Sequence, residues 1–240
     1  MTSVNAPLSL QQDFWNSWNA RTREQTIDVV SIEQSALVRD WLARLGRRDL
    51  SIIDIGCGAG WLSGQLTGFG TVVGTDLSDE VLARSAERWP AVKFVAGDFM
   101  TLDFGAESFD AAVSLEVLSH VADQPAFIRK IASLLKPGGH FIIATQNKPA
   151  LMRNDIPAPA PGQLRRWVDR HELTGLLQAE FEVIELCSIT PLFNRGLLRR
   201  LNGHRANRLA SKLKLAGLKK RVQERLWLGW TLMAMARKPL

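Results

Sequence analysis

Residues 51–60 read Ser-Ile-Ile-Asp-Ile-Gly-Cys-Gly-Ala-Gly, and this stretch predicts how the rest of the chain folds. Its first half, 51–55, is a short apolar run rich in β-branched residues, which is typical of a buried parallel strand. Its second half has glycine at alternate positions, namely Gly56, Gly58 and Gly60. Leu62 and Leu66 then follow a helical spacing. A strand, a glycine loop and a helix in this order allow a backbone to lie flat against a nucleotide-like ligand.

The spacing of the glycines distinguishes between two classes of such ligand. The dinucleotide fingerprint G-x-G-x-x-G requires glycine at its sixth position, which here is Trp61 when counted from Gly56. Asp54, just before the loop, fits poorly beside a pyrophosphate and well beside a positive charge. The stretch therefore disfavours a dinucleotide and favours a ligand that carries positive charge.

Three more acidic residues follow predicted strands. They are Asp76 after 71–75, Asp98 after 92–96 and Glu116 after 109–115. Alternating strands and helices predict a parallel sheet, and the carboxyl ends of its strands meet at one edge. We therefore expect these acids to lie along the same edge as Asp54. Asp76 comes 22 residues after Asp54, and an acid in this position accepts hydrogen bonds from a ribose diol.

Taken together, these motifs resemble those of class I S-adenosylmethionine (SAM)-dependent methyltransferases. Residues 54–60 are similar to the family's first motif, (D/E)-x-G-x-G-x-G, and Gly97-Asp98-Phe99 has the form of its adenine-binding motif. Leu134-Leu-Lys-Pro-Gly-Gly139 precedes a fifth strand, 141–145, as it does in this family. The resemblance covers about residues 34–150. It implies an α/β, Rossmann-like, seven-stranded, mostly parallel sheet with helices on both faces, in which the last strand is antiparallel.

The resemblance also implies SAM as the cofactor and a set of residues that bind it. Asp98 would accept a hydrogen bond from the exocyclic amine of adenine, and Phe99 would border the adenine ring. The predicted cofactor-binding residues are Asp54, Gly56, Cys57, Gly58, Gly60, Asp76, Leu77, Asp98, Phe99 and Leu115.

The composition is ordinary for a globular protein, with 46% hydrophobic and 22% charged residues. No apolar run reaches the roughly 18 residues that span a membrane, and the N-terminus does not resemble a signal peptide. Cys57 and Cys187 form neither a disulfide framework nor a metal-site pattern. We expect a cytoplasmic protein with a single methyltransferase domain over 1–240. Its predicted parts are an N-terminal helical cap (1–48), a SAM-binding core (49–190), a basic helical insertion (191–226) and the last strand (227–240).

Residues 9–19 predict a short helix with three aromatic side chains on one side: Phe14, Trp15 and Trp18. They form either a packing face or, as in many SAM methyltransferases of this size, a cover over the substrate. Asn147, after the fifth strand, is a further candidate for substrate contact. Residues 156–161, Ile-Pro-Ala-Pro-Ala-Pro, predict a stiff extended segment. That segment is either a surface connection or one wall of the substrate entrance.

Outside this region, capping and periodicity predict further boundaries. They predict a helix that starts at 31–34 in capping-box form, a helix over 163–177, a strand over 181–189 and a last strand over 227–237.

His120, just past the fourth strand, is the candidate general base, because a neutral imidazole can take a proton near pH 7. Glu116-x-x-Ser119-His120 is similar to the E-x-x-E-H of ubiquinone-pathway O-methyltransferases, in which the acids and the histidine can hold a divalent cation. Ser119 replaces the second acid, which weakens the case for a metal. We predict Glu116 and His120 as catalytic residues and no metal site. A packing or capping role for His120 stays open.

The positive charge is concentrated in residues 191–226, which contain eleven Lys/Arg and one acid, Glu224. This segment carries a net charge of +10, and the rest of the chain carries −4. Its apolar residues keep helical spacing, for example Leu218, Val222 and Leu226, so the segment predicts a pair of amphipathic cationic helices. It is a solvated face, a contact with an anionic membrane surface or a site for an anionic substrate. Nucleic acid is disfavoured, because aromatic residues only flank the charges.

The expected function is methyl transfer from SAM to a small-molecule acceptor, at a hydroxyl oxygen. The most similar group is the ubiquinone-biosynthesis O-methyltransferase type with its secondary-metabolite relatives. N- or C-methylation and a non-catalytic SAM-binding protein are the alternatives.

Overall fold

A computed structural model describes residues 7–203, 208, 211–212 and 214–240. Its centre is a seven-stranded sheet of order β3-β2-β1-β4-β5-β7-β6. The strands are β1 (Leu50–Ile55), β2 (Gly70–Asp76), β3 (Val92–Ala96), β4 (Phe109–Leu115), β5 (Leu135–Gln146), β6 (Glu182–Ile189) and β7 (Thr231–Arg237). Strands β1 to β5 pair in parallel, and β7 is antiparallel to both of its neighbours, β5 and β6. The predicted Rossmann-like sheet is confirmed.

Helices cover both faces of this sheet. They are α1 (Leu8–Arg21), α2 (Val29–Arg44), α3 (Trp61–Leu66), α4 (Asp79–Arg88), α5 (Gln124–Leu134), α6 (Lys148–Leu151), α7 (Arg170–Gln178), α8 (Gly196–Leu201) and α9 (Ala216–Arg225). Neighbouring residues of β1 contribute to opposite cores: Ile52 packs with Trp41 of α2, and Ile53 packs with Phe127 of α5. A central strand buried on both faces explains the continuous apolar run of β1.

Helix α2 begins earlier than predicted. It starts at Val29, because the Asp28 carboxylate accepts a hydrogen bond of 2.7 Å from the backbone N–H of Ser31. The predicted capping box at 31–34 is therefore wrong, and these residues lie inside the helix.

Helix α7 begins at Arg170, not at 163. The Asp169 carboxylate accepts hydrogen bonds from the backbone N–H groups of His171 and Glu172, and the Glu172 side chain accepts one from the Asp169 N–H. This reciprocal cap outweighs the helical spacing of the apolar residues before it. The predicted helix over 163–177 is wrong in its first half, and residues 163–169 form an irregular segment.

The last strand, β7, begins at Thr231, and the prediction that it starts at 227 is wrong. Trp227 has a positive φ of 59° and Asn147 binds the carbonyl oxygens of Trp227 and Gly229, so these residues form a turn.

The basic segment 191–226 includes α8 and α9, whereas His204, Arg205, Leu209 and Leu213 lie outside the described residues. Leu218 and Val222 on α9 and Leu226 directly after it are 59%, 46% and 63% exposed. The helix is anchored to α2 by an ion pair of 2.7 Å between Lys220 Nζ and Glu33 Oε1. Across the described residues, no helix is both long enough and apolar enough to cross a bilayer.

Candidate functional site

A cavity of about 400 Å³ opens at the carboxyl ends of the parallel strands. Its size is typical of a small-molecule site. The predicted cofactor-binding residues that line it are Asp54, Gly56, Cys57, Gly58, Asp76, Leu77, Asp98, Phe99 and Leu115. The other predicted site residues that line it are Trp15 and Trp18 of α1, and Glu116 and His120 beyond the end of β4. Residues far apart in the sequence are therefore brought together around one volume.

The glycine loop forms the floor of the cofactor side. Gly56 has a φ of +72°, and a Cβ atom at this position would lie 2.1 Å from the side chain of Val117. A larger residue is therefore excluded by both strain and contact. Gly60 does not line the cavity, contrary to the prediction. It has a φ of +69°, precedes α3 and donates a hydrogen bond of 3.0 Å to the carbonyl oxygen of Cys57, so that it shapes the loop.

Two carboxylates at the ends of β2 and β3 fit a nucleoside. Asp76 accepts hydrogen bonds from the backbone N–H groups of Gly58 (2.8 Å) and Ser78 (2.9 Å), one on each oxygen. Each oxygen keeps a lone pair, which suits a diol. Asp98 accepts from the Met100 N–H through Oδ1 (2.9 Å), and its Oδ2 makes no hydrogen bond among the described residues. These fixed acceptors are suited to the hydroxyl and amine donors of a nucleoside.

Asp54 is a buried acid at the cofactor side. Its pKa is raised to about 7, mainly by burial; the hydrogen bond of 2.6 Å from Ser63 Oγ lowers the pKa in part, and the negative charge of Asp76 contributes to the rise. A buried carboxyl group without a positive neighbour gains a favourable interaction when a cation binds beside it. This environment suits a ligand with positive charge.

Glu116 is a second acid at the cavity, half-buried, and desolvation raises its pKa to about 7 as well. Its Oε1 accepts hydrogen bonds from Thr231 Oγ1 (3.1 Å) and from Gln34 Nε2, which join β4 to β7 and α2. Its backbone has a φ of +63°, an uncommon conformation for a residue other than glycine. The fold thus holds this carboxyl group at the cavity at a cost in backbone strain.

His120 is held in one orientation. Its Nδ1 lies 2.6 Å from the carbonyl oxygen of Leu164 and donates to it, which leaves a lone pair on Nε2. The pKa of His120 is lowered to about 4, mainly by burial; the hydrogen bond to Leu164 opposes this, and the positive charge of Arg165 contributes to the fall. The imidazole is therefore neutral near pH 7. Its ring meets Trp15 edge-on with a centroid distance of 4.7 Å.

Helix α1 lies against the cofactor side of the cavity. Asn19 Nδ2 donates to Ser78 Oγ (2.7 Å), and Asn16 Nδ2 donates to Asp79 Oδ1 (2.8 Å). Trp15 and Trp18 line the cavity, but Phe14 does not, contrary to the prediction. It packs edge-on against Trp15 with a centroid distance of 4.9 Å.

Asn147 also differs from the prediction, because it does not line the cavity. Its side chain is buried, and its Nδ2 donates to the carbonyl oxygens of Trp227 (3.0 Å) and Gly229 (2.8 Å). It therefore supports the turn before β7. Its neighbour Gln146 lines the cavity instead, and Gln146 Oε1 is buried without a hydrogen-bond partner among the described residues.

Several lining residues were not predicted as site residues: Arg23, Gln34, Gln146, Gln163, Arg165, Trp167 and Trp230. Ile156, at the start of the proline-rich stretch, also lines the cavity, which favours the interpretation of that stretch as an entrance wall. No motif marks these residues.

The described residues contain no group of three or more His, Cys, Asp or Glu side chains placed to hold a metal ion. Ser119 is fully buried, and its Oγ has no hydrogen-bond partner in that part of the chain. The absence of a metal site stays a prediction.

A family model described as a methyltransferase domain matches residues 31–186. The chain is 33% identical over 190 residues to an O-methyltransferase, cnsE, from Penicillium expansum, which covers 72% of this chain and 66% of that protein. It is 37% identical over 125 residues to a ubiquinone biosynthesis O-methyltransferase from Methylobacterium nodulans, which covers 46% of this chain and 50% of that protein. The chain thus spans about half to two thirds of the length of these curated relatives.

Two solved structures share the fold at low sequence identity. A 1,6-didemethyltoxoflavin-N1-methyltransferase from Burkholderia thailandensis, with bound substrate and S-adenosylhomocysteine, has a TM-score of 0.66 and 23% identity, covering 100% of this chain and 93% of that one. An S-adenosylmethionine-dependent methyltransferase from Mesorhizobium loti has a TM-score of 0.60 and 23% identity, covering 83% and 96%. Because the family model matches more than half of the chain, the chain belongs to the methyltransferase domain family, and its resemblance to class I SAM-dependent methyltransferases is confirmed.

Proposed function

We propose that the protein transfers a methyl group from SAM to a hydroxyl oxygen of a small-molecule acceptor. S-adenosylmethionine is the cofactor. The observation that carries the oxygen assignment is the orientation of His120, whose Nδ1 donates to the Leu164 carbonyl oxygen and whose Nε2 keeps a lone pair beside the cofactor side of the cavity. The O-methyltransferase names of the relatives support the same assignment.

On the cofactor side, the residues bind and orient. Asp76 accepts hydrogen bonds from the ribose hydroxyls, and Asp98 accepts from the adenine amine. Leu77, Phe99 and Leu115 form apolar walls for the adenine ring. When bound, SAM supplies an electrophilic methyl group on a positively charged sulfur. Asp54 and Glu116 stabilise the positive charges of the cofactor by ionising when it binds.

On the acceptor side, His120 holds the proton. Nε2 accepts a hydrogen bond from the acceptor hydroxyl and takes its proton as the oxygen–carbon bond forms. The pKa of about 4 means that a protonated imidazole is unstable in this cavity before the methyl group moves. We therefore expect proton transfer to accompany bond formation rather than to precede it. The proton then passes to solvent when the product leaves.

The test is incubation of the full chain with methyl-labelled SAM and a fractionated extract of its own source, together with a panel of hydroxylated aromatic compounds. We expect one labelled methyl group on oxygen, located by NMR of the product. A methyl group on nitrogen or carbon would contradict the oxygen assignment. Binding of SAM without any labelled product would favour a non-catalytic SAM-binding protein.

A further inference from the structure

The acceptor side of the cavity contains an arginine without an acidic partner. Arg165 lines the cavity, and its guanidinium donates to the carbonyl oxygen of Pro157 (2.6 Å) and to Gln163 Oε1 (2.7 Å). Burial alone lowers its pKa, and no carboxylate of the described residues lies within ion-pair distance. A second lining arginine, Arg23, differs because it pairs with Asp28 at 3.4 Å.

A partly buried guanidinium of this kind is suited to an anionic ligand. It has five N–H donors, and two neutral acceptors satisfy only some of them. Its guanidinium carbon lies over the ring of Trp167, 5.5 Å from the ring centroid, and this contact and the two hydrogen bonds limit the rotation of the group. A fixed planar fork of donors binds a carboxylate through two parallel hydrogen bonds.

Arg165 lies close to His120, the proposed base that faces the acceptor hydroxyl. Arg165 directly follows Leu164, whose carbonyl oxygen orients His120, and the charge of Arg165 acts on His120. Trp15, Trp167 and Trp230 also line the cavity, so its walls are flat and aromatic. A ligand that satisfies all of these groups has an aromatic ring, a hydroxyl and an anionic substituent.

We infer that the acceptor is a hydroxylated aromatic acid whose carboxylate binds Arg165 while its hydroxyl faces Nε2 of His120. This inference rests on the proposed function and specifies its substrate class. The acids on the cofactor side and the arginine on the acceptor side then match a cationic cofactor and an anionic acceptor. The acids repel an anionic acceptor from the cofactor side, and the arginine repels the cationic cofactor from the acceptor side.

The test uses the full chain saturated with S-adenosylhomocysteine and two probes, 3,4-dihydroxybenzoate and its neutral counterpart 3,4-dihydroxybenzamide. Binding is measured by calorimetry and by quenching of tryptophan fluorescence. We expect the acid to bind about 10- to 100-fold more tightly than the amide, the range for a charge-assisted bidentate pair. Arg165→Gln should remove that preference and leave the affinity for the amide unchanged, and Arg165→Lys should restore part of it.

The matched control is Arg166→Gln, at the exposed neighbouring position. It should leave both affinities unchanged. Unchanged affinity for S-adenosylhomocysteine shows that each variant is folded. The inference is overturned if the wild type binds the acid no more tightly than the amide, if neither probe binds, or if Arg165→Gln weakens both probes equally. Failure to bind S-adenosylhomocysteine at all would instead count against the proposed function.

Discussion

Nδ1 of His120 lies 2.6 Å from the carbonyl oxygen of Leu164, a residue 44 positions further along the chain. This contact selects the tautomer with a lone pair on Nε2 and requires residues 163–169 to be irregular, since a helix there would direct the carbonyl oxygen along its own axis. His120 and the irregular segment 163–169 are therefore positioned by the same hydrogen bond.

Replacing His120 tests its role as the base. His120→Ala should lower turnover by about 10²–10⁴-fold, because the acceptor hydroxyl loses its proton acceptor. SAM affinity, measured by calorimetry, should change little. His171→Ala, at an exposed position on α7, is the control and should retain full turnover. A loss of less than about threefold in His120→Ala would show that His120 is structural.

The pH dependence of cofactor binding follows from the two cavity acids with raised pKa values. Asp54 and Glu116 have pKa values raised to about 7, so they are neutral below that pH and ionised above it. Because a cation binds more strongly beside an ionised carboxylate, SAM affinity should rise between pH 6 and pH 8. Calorimetry in buffers of different ionisation enthalpy should detect proton release on binding at pH 7.

Asp54→Asn should reduce this pH dependence and the proton release. The pH dependence of turnover should show no inflection from His120 between pH 6 and pH 8, since the pKa of His120 is about 4. An affinity that stays constant from pH 6 to pH 8 would contradict the assignment of the acids to the cofactor's positive charge.

Loss of the Asp76 carboxylate should weaken SAM binding. Asp76→Ala should raise the dissociation constant by about 10- to 100-fold, because paired hydrogen bonds to a charged group are lost. Glu87→Ala, which removes an exposed acid on α4, should leave it unchanged. If calorimetry shows the same affinity in a folded Asp76→Ala variant, the ribose assignment is wrong.

The contact of α9 with an anionic membrane surface stays a prediction. Its leucines and valine are exposed beside Arg221 and Arg225, so apolar burial and charge attraction would act together. Arg221→Glu with Arg225→Glu should reduce co-sedimentation with phosphatidylglycerol vesicles at low salt and leave SAM binding intact. Arg39→Glu with Lys93→Glu, two exposed positions elsewhere, is the matched control. The prediction fails if the wild type does not co-sediment.

The sheet and the cofactor side could be predicted because short local motifs determine them. Asp76 follows its strand directly, and its carboxylate binds backbone N–H groups of adjacent loops, so its role depends little on distant packing. The positive φ and the close approach of Val117 both require glycine at position 56. The glycine itself can be recognised in the sequence.

The acceptor side could not be predicted in the same way, because distant contacts assemble it. The sequence predicts a helix over 163–177 that includes Arg165, whereas the structure begins this helix after the cap at Asp169 and leaves Arg165 in an irregular segment. Asn147 and Gln146 are adjacent, and only one of them lines the cavity. Asn147 does not, because its side chain binds carbonyl oxygens of the turn before β7. Phe14 and Trp15 are likewise adjacent aromatic residues, and the docking of α1 decides which one reaches the cavity.

The hydrogen bond between Asn19 and Ser78 has a kinetic consequence. Ser78 also donates its backbone N–H to Asp76. Helix α1, which carries Trp15, is therefore joined through Ser78 to the acid proposed to bind the ribose. We expect this hydrogen bond to break when the cofactor enters and to form again when α1 completes the aromatic wall of the acceptor side. We expect an ordered reaction in which SAM binds first and S-adenosylhomocysteine leaves last, with S-adenosylhomocysteine competitive against SAM and noncompetitive against the acceptor.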